Sequence, residues 1–195
     1  MIRPPLPRAS AIVDPRIGDH GPALLALEDG LVVAGIAFGA PTAGGGDLVV
    51  NTAQTGYQEV CTDPSYAGQV VVMTYPLIGN YGRLPEDDQS IRPWLRGLVV
   101  GHATAAVLDD ARQLATLLRD AGIPAIAGID TRALARHLDE RGCAFGRVTA
   151  ARLDDLVRAY DRLEAKLNAV LLGVTGTFLT ALVALAISYL RSQGV

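Results

Sequence analysis

An Asp29-Gly30 pair separates two short apolar runs, Ala23–Glu28 and Leu31–Phe38. That arrangement restricts the start of the chain to a β-hairpin more tightly than any other feature. Asp and Gly tolerate the positive φ of a two-residue type I′ turn, and the flanking apolar runs supply the two strands. The same punctuation continues downstream. Asp47–Asn51, Gln69–Tyr75 and Leu95–Val100 read as buried strands, and Ala125–Gly128 as a short one. Two stretches carry helical spacing. Asp109–Ala121 has Asp109 or Asp110 as cap, Leu114, Leu117 and Leu118 on one face, and Gly122 with Pro124 as its stop. Thr131–Arg141 has Asp130 or Thr131 as N-cap, Leu134 and Leu138 inward, and Gly142 just past its end. Strands lead to helices that lead back to strands, so a compact α/β domain is predicted. Aromatic residues make up only 5% of the chain, so its core must be aliphatic.

Two segments read as loops. Ala40–Gly46 contains three consecutive glycines and is expected to be a mobile connection. No GK[ST] follows it, so it is not a phosphate loop, and no other cofactor motif is present. Thr52–Gly68 is polar and irregular, the kind of segment where loop chemistry is found. Within it Asp63–Tyr66 should form a turn with the Ser65 hydroxyl near the surface.

Several function classes are disfavoured. The formal net charge of −3 offers no basic stripe for nucleic acid. Cys61 and Cys143 lie far apart, outside any zinc or redox spacing, and read as buried small hydrophobes in a reducing compartment. His20, His102 and His137 are isolated from one another in sequence and form no metal set. Met1–Pro22 carries five prolines and no apolar core of a secretory signal, so residues 1–22 are expected to be a disordered leader.

Three stretches are more specific than these physical arguments. They are NTAQTGYQE at 51–59, TDPSYAGQ at 62–69 and TYPLIGNYG at 74–82, with LEDG, FGAP, RGLVV and GIPAIAGIDTRALARHL around them. In this order they resemble the N-terminal domain of the small subunit of glutamine-dependent carbamoyl phosphate synthetase, over residues 23–148. The resemblance implies a swivelling β/β/α-type domain that packs on the large synthetase subunit. It also implies a following class I amidotransferase domain, whose Cys-His-Glu triad releases ammonia for carbamoyl phosphate in arginine and pyrimidine synthesis. Ser65 matches the family serine that helps to form the glutamine site. As a residue in a turn, it could equally be a hydroxyl bonding its own backbone. Asn80 and Gln58 read as structural amides, Asp130 as a helix cap, and Arg132 as an exposed or salt-bridged residue. Neither cysteine sits on a nucleophile elbow, so hydrolysis of glutamine by this chain alone is not expected. Ala53 replaces the usual serine of the first motif, and Gly101-His102 a charged pair, which bears on docking contacts rather than on the fold.

Beyond Val148 the pattern changes. Leu153, Leu156, Tyr160, Leu163, Leu167 and Val170 alternate at spacings of three and four, the seam of a coiled coil. With only about two and a half heptads present, 151–166 is expected to be an amphipathic neck helix, able to self-associate through 153–170. Leu167–Leu190 carries no charged residue. At about 1.5 Å per residue a helix there would span roughly 36 Å, enough for a hydrocarbon core of about 30 Å. A single transmembrane helix over 167–190 is therefore predicted, with a buried hairpin or a core helix of an oligomer as its rivals. Arg152, Arg158, Arg162 and Lys166 precede it and only Arg191 follows, which would keep the main domain cytoplasmic. The sequence thus supports a non-catalytic small-subunit docking domain or, from a different class, a membrane-anchored binding or scaffold module. It leaves open a remnant without selected function, or an amidotransferase acting in trans.

Overall fold

The computed structural model describes residues 14, 17, 21–105 and 113–150. The neck 151–166, its 153–170 seam, the apolar segment 167–190, the leader before residue 14, and Asp109 and Asp110 lie outside the described residues. Among those described, no helix is long and apolar enough to cross a membrane.

The domain is a mixed α/β fold around a closed seven-stranded barrel. In chain order come β1 (Pro22–Leu27), β2 (Val32–Ala37), β3 (Ala43–Asn51), α1 (Tyr57–Thr62), β4 (Gln69–Met73), β5 (Leu77–Ile78), β6 (Gly97–Val99), β7 (His102–Ala103), α2 (Leu114–Asp120), β8 (Ala125–Ala127), α3 (Thr131–Arg141) and β9 (Phe145–Ala150). Around the barrel the order is β1-β2-β8-β6-β4-β3-β9, and β9 returns to β1. The β3/β4, β4/β6 and β6/β8 pairs are parallel. The pairs involving β1, β2 and β9 are antiparallel. β5 and β7 form a separate two-stranded parallel sheet.

Side-chain alternation explains both layers of the core. Val70 and Val72 of β4, Val99 of β6 and Ile126 of β8 point into the barrel, with Ala23, Leu25 and Leu27 of β1 and Val148 of β9. Val71, Met73, Leu98, Ala125 and Ala127 face outward under α1 and α2, which contribute Val60, Cys61, Leu114 and Leu118. Strands covered on both faces read as unbroken apolar runs, as Val70–Met73 does. Leu134 and Leu138 of α3 join the interior cluster, so α3 lies across one end of the barrel.

Both long helices end as their sequences imply. Asp130 accepts from Ala133 N at 2.9 Å, and Gly142 takes φ 63° after α3. Gly122, at φ 70°, follows α2. α2 starts later than the Asp109–Ala121 spacing predicts, because Gln113 is extended, at φ −92° and ψ 140°, directly before Leu114 and makes no side-chain cap.

Two further expectations are corrected. The β1–β2 turn is not a two-residue type I′ turn, because Asp29 does not adopt positive φ; Gly30 does, at 89°. Leu27 N donates to Leu31 O at 2.8 Å and Gly30 N to Leu27 O at 3.1 Å, leaving a three-residue loop with Gly30 at the left-handed position. Asp29 contributes through its side chain, accepting from Leu31 N at 3.0 Å. The second correction concerns the three glycines. They belong to strand β3, not to a mobile loop. A Cβ on Gly44 would lie 1.8 Å from Arg96 O, and one on Gly46 1.8 Å from Gly68 O. The glycines admit neighbouring backbone where any side chain would collide.

The hairpin tip is tied to the rest of the domain. Glu28 accepts from Ala144 N at 2.6 Å and Phe145 N at 3.1 Å, and these backbone bonds hold its carboxyl below the usual glutamate range. Asp29 Oδ2 lies 2.6 Å from His137 Nε2 on α3.

Gly46→Ala should destabilise the domain by about 3 kcal/mol, because a backbone carbonyl cannot move aside as a side chain can. Gly45→Ala, whose Cβ would sit 3.4 Å from its nearest neighbour, should be near neutral. Urea unfolding of the two variants measures the difference.

Candidate functional site

The three motif stretches converge on one ledge, organised by α1. Sequence inspection misses this helix because it is short and polar and follows Gly56, which sits at φ 86°. Tyr57, Gln58, Val60, Cys61 and Thr62 are nevertheless all buried. What looks like an irregular polar segment is thus a helix whose polar groups are satisfied from the loop after β5.

That loop grips α1 along its length. Tyr57 and Tyr81 stack with ring centroids 4.2 Å apart. The Tyr81 hydroxyl accepts from Gly56 N at 2.7 Å and Tyr57 N at 3.3 Å, capping a helix that has no cap of its own. Tyr57 returns the contact, donating to Gly82 O at 2.8 Å and accepting from Tyr81 N at 3.2 Å. Burial pushes the ionisation of both phenols upward. Gln58 is the buried hinge of the network. Its Oε1 accepts from Leu84 N at 2.9 Å, and its Nε2 donates to Leu84 O and, at 2.6 Å, to Asp88 Oδ1. Asp88 is also paired with Arg83. Thr62 Oγ1 accepts from Gln89 N at 2.9 Å, and the Ser90 hydroxyl donates to Thr62 O at 2.6 Å.

On the outer side of α1 a 3₁₀ turn, Pro64–Tyr66, presents Ser65 to solvent. The turn is held by Asp63, whose Oδ1 accepts from Ser65 N at 2.8 Å. The Ser65 hydroxyl makes no hydrogen bond among the described residues, so turn formation does not consume it. Asn51 Nδ2 donates to Tyr66 OH at 3.1 Å, joining the first motif to the second. Asn51 Oδ1 accepts from Ala53 N at 2.8 Å, shaping the exposed stretch 52–55.

The other residues singled out from sequence take no part in these hydrogen bonds between α1 and the loop after β5. Asn80 is exposed in the bend closed by Gly82 N and Gly79 O at 3.3 Å. Arg132 is exposed on α3. Cys61 and Cys143 are buried and unpaired, and burial pushes the Cys61 thiol up to about 12. Fully buried, the Cys61 thiol is not presented to a substrate. No group of three His, Cys, Asp or Glu residues is gathered for a metal among the described residues. The ledge offers hydrogen-bonding groups on a rigid support, without a nucleophile and base in contact.

Gln58→Leu should cost about 2–3 kcal/mol, since it strands the backbone groups of Leu84 and the carboxylate of Asp88. Chemical denaturation measures the loss, and Cys61 should turn from inert to reactive toward a thiol reagent as α1 loosens.

Burial raises the Asp88 carboxyl, but bonds from Arg83 and Gln58 outweigh it and leave the group below its ordinary value. A group depressed in the folded state stabilises above its unfolded pKa of about 3.9 and loses that contribution as pH falls. The urea midpoint should therefore drop as pH is lowered below about 4, and Asp88→Asn should flatten that dependence.

Comparison with known proteins agrees with this geometry. Residues 25–148 match the family model described as carbamoyl-phosphate synthase small chain, CPSase domain. The carbamoyl phosphate synthase small chain of Symbiobacterium thermophilum is 52% identical over 122 residues, covering 62% of this chain and 34% of that protein. The corresponding chain of Chlorobaculum tepidum is 47% identical over 137 residues, covering 69% of this chain and 37% of its own length. That of Syntrophotalea carbinolica is 50% identical over 140 residues, with coverages of 68% and 36%. The chain thus spans little more than a third of the length of these relatives. With the motif ledge intact on a matching domain, the chain belongs to the carbamoyl-phosphate synthase small chain family.

Proposed function

We propose that this chain serves as the large-subunit docking domain of a glutamine-dependent carbamoyl phosphate synthetase, in arginine and pyrimidine biosynthesis. In this reading it holds the partner but does not itself hydrolyse glutamine. One observation carries the proposal: the motif loops are locked to α1 by a buried network around Gln58 and the tyrosine pair. Such rigidity is what a surface needs if it is to meet a partner without a large ordering cost. The swivelling β/β/α class implied by the family suits a barrel carrying this ledge on one side. Ser65, exposed with a free hydroxyl, is the residue we assign to the edge of a glutamine site completed by an amidotransferase.

A second reading rests on the uncharged stretch Leu167–Leu190. There the domain is a cytoplasmic scaffold anchored to the membrane by 167–190, with self-association through 153–170.

Co-expression with a carbamoyl phosphate synthetase large subunit tests the first reading. Stable co-purification is expected, and failure to bind by a folded domain would refute it. Resistance to alkaline extraction from membranes is expected from the second, and release into the soluble fraction would rule out the anchor.

A further inference from the structure

A cleft of about 410 Å³ opens at the start of three neighbouring parallel strands, and Ser65 is not among the residues that line it. Its walls are the segments leading into β4, β6 and β8: Ala67-Gly68, Arg92–Arg96 and Ala121–Pro124, with Ala43-Gly44 alongside. Such a volume falls in the range of about 300–1,000 Å³ typical of small-molecule sites. Arg92 and Arg96 are the charged residues of the lining, and no carboxylate faces them there. Both arginines are exposed, and neither is ion-paired among the described residues.

Arg92 is held in place. Its guanidinium carbon sits 3.9 Å from the centroid of the Trp94 ring. The indole is fixed in turn, because Trp94 Nε1 donates to the Ser90 hydroxyl at 2.7 Å. Backbone bonds pin both ends of the segment: Trp94 N donates to Cys61 O at 3.0 Å, and Arg96 N to Gln69 O at 2.7 Å. A guanidinium stacked on an aromatic face keeps its in-plane N–H groups available for a planar oxyanion. Two unpaired guanidinium groups, one of them preoriented, in a concave site without acidic residues form a receptor for negative charge.

We propose that the cleft bounded by Arg92, Trp94 and Arg96 binds a small organic anion through a carboxylate or phosphate group. The charged residues of the cleft, Arg92 and Arg96, lie outside the three motif stretches, so a test on them is separate from a test of large-subunit docking.

Trp94 is the single tryptophan of the chain, so its emission reports on this cleft directly. The full-length chain is titrated with sodium succinate, with inorganic phosphate and with neutral succinamide, at constant ionic strength. A saturable emission change with at least one anion, and none with succinamide, is expected. A response to succinate alone identifies a carboxylate site, and one to phosphate alone a phosphoryl site. Arg92→Gln and Arg96→Gln should each weaken the response by about tenfold, the loss of one charge-assisted contact. Both side chains are exposed and unpaired, so the variants should keep wild-type circular dichroism and thermal melts. The proposal is overturned by the absence of saturation with either anion up to about 20 mM, the weakest affinity a metabolite site could use. It is equally overturned if succinamide reproduces the response or if both variants retain it. Saturation by polyglutamate with no response to the small anions would make the cleft a docking surface for an acidic chain, and would also defeat the proposal.

Discussion

Closure of the barrel depends on one strand coming closer to its neighbours than side chains allow. β3 changes partners along its length. Residues 43–47 pair antiparallel with β9, and residues 47–51 pair parallel with β4. The change happens at Asp47, where the antiparallel part of the barrel meets the parallel part. Immediately before it the strand runs against the carbonyls of Arg96 and Gly68, a path open only to Gly44 and Gly46. Glycine in a strand normally costs stability, because it adds chain entropy and packs nothing. Here that cost is offset by a sheet with no open edge between β3 and β9.

The functional ledge is a second consequence of the same geometry. Because β3 ends beside β4, the chain between them must leave the barrel and return to it, and α1 with its 3₁₀ turn occupies that excursion. So short a helix is not stable alone. It persists because the loop after β5 supplies what it lacks: a cap from Tyr81, amide partners from Leu84, and a carboxylate from Asp88. Mutual support of this kind binds loops from distant parts of the sequence into one rigid surface. Ser65 can therefore be exposed without being mobile in the turn that carries it.

Much of this was legible in the residues, and what was not has identifiable causes. Helix α3 was readable to its ends because Asp130, Leu134, Leu138 and Gly142 act locally. The strands around Val70–Met73 were readable because burial on both faces forces apolar runs. The glycines of β3 read as a loop because their reason is a carbonyl some fifty residues away at Arg96, and no local pattern announces it. The turn at Asp29-Gly30 is right in place and different in type, since the bond that Asp29 accepts from Leu31 N goes with the three-residue form. Helix α1 was invisible for the same reason as the glycines: its cap and its partners lie more than twenty residues downstream. The sequence marks Gln58 as a structural amide, but not the number of its partners. The family motifs mark the ledge, yet only the packing of the loop after β5 on α1 explains why those loops hold together.

The pairing of β1 with β9 sets the order of events as the chain emerges. Ala23 lies opposite Ala150, so the first strand of the barrel finds one of its two neighbours only after nearly the whole domain has been made. Until then the β1–β2 hairpin has an unpaired edge and an apolar face directed at an interior not yet assembled. Long-range closures of this kind slow folding, since loop entropy is lost before the contact is gained. A ribosome that stalled before residue 145 would therefore display an open, adhesive sheet rather than a smaller stable domain, and the hairpin tip at Glu28 would have no β9 amides to hold it.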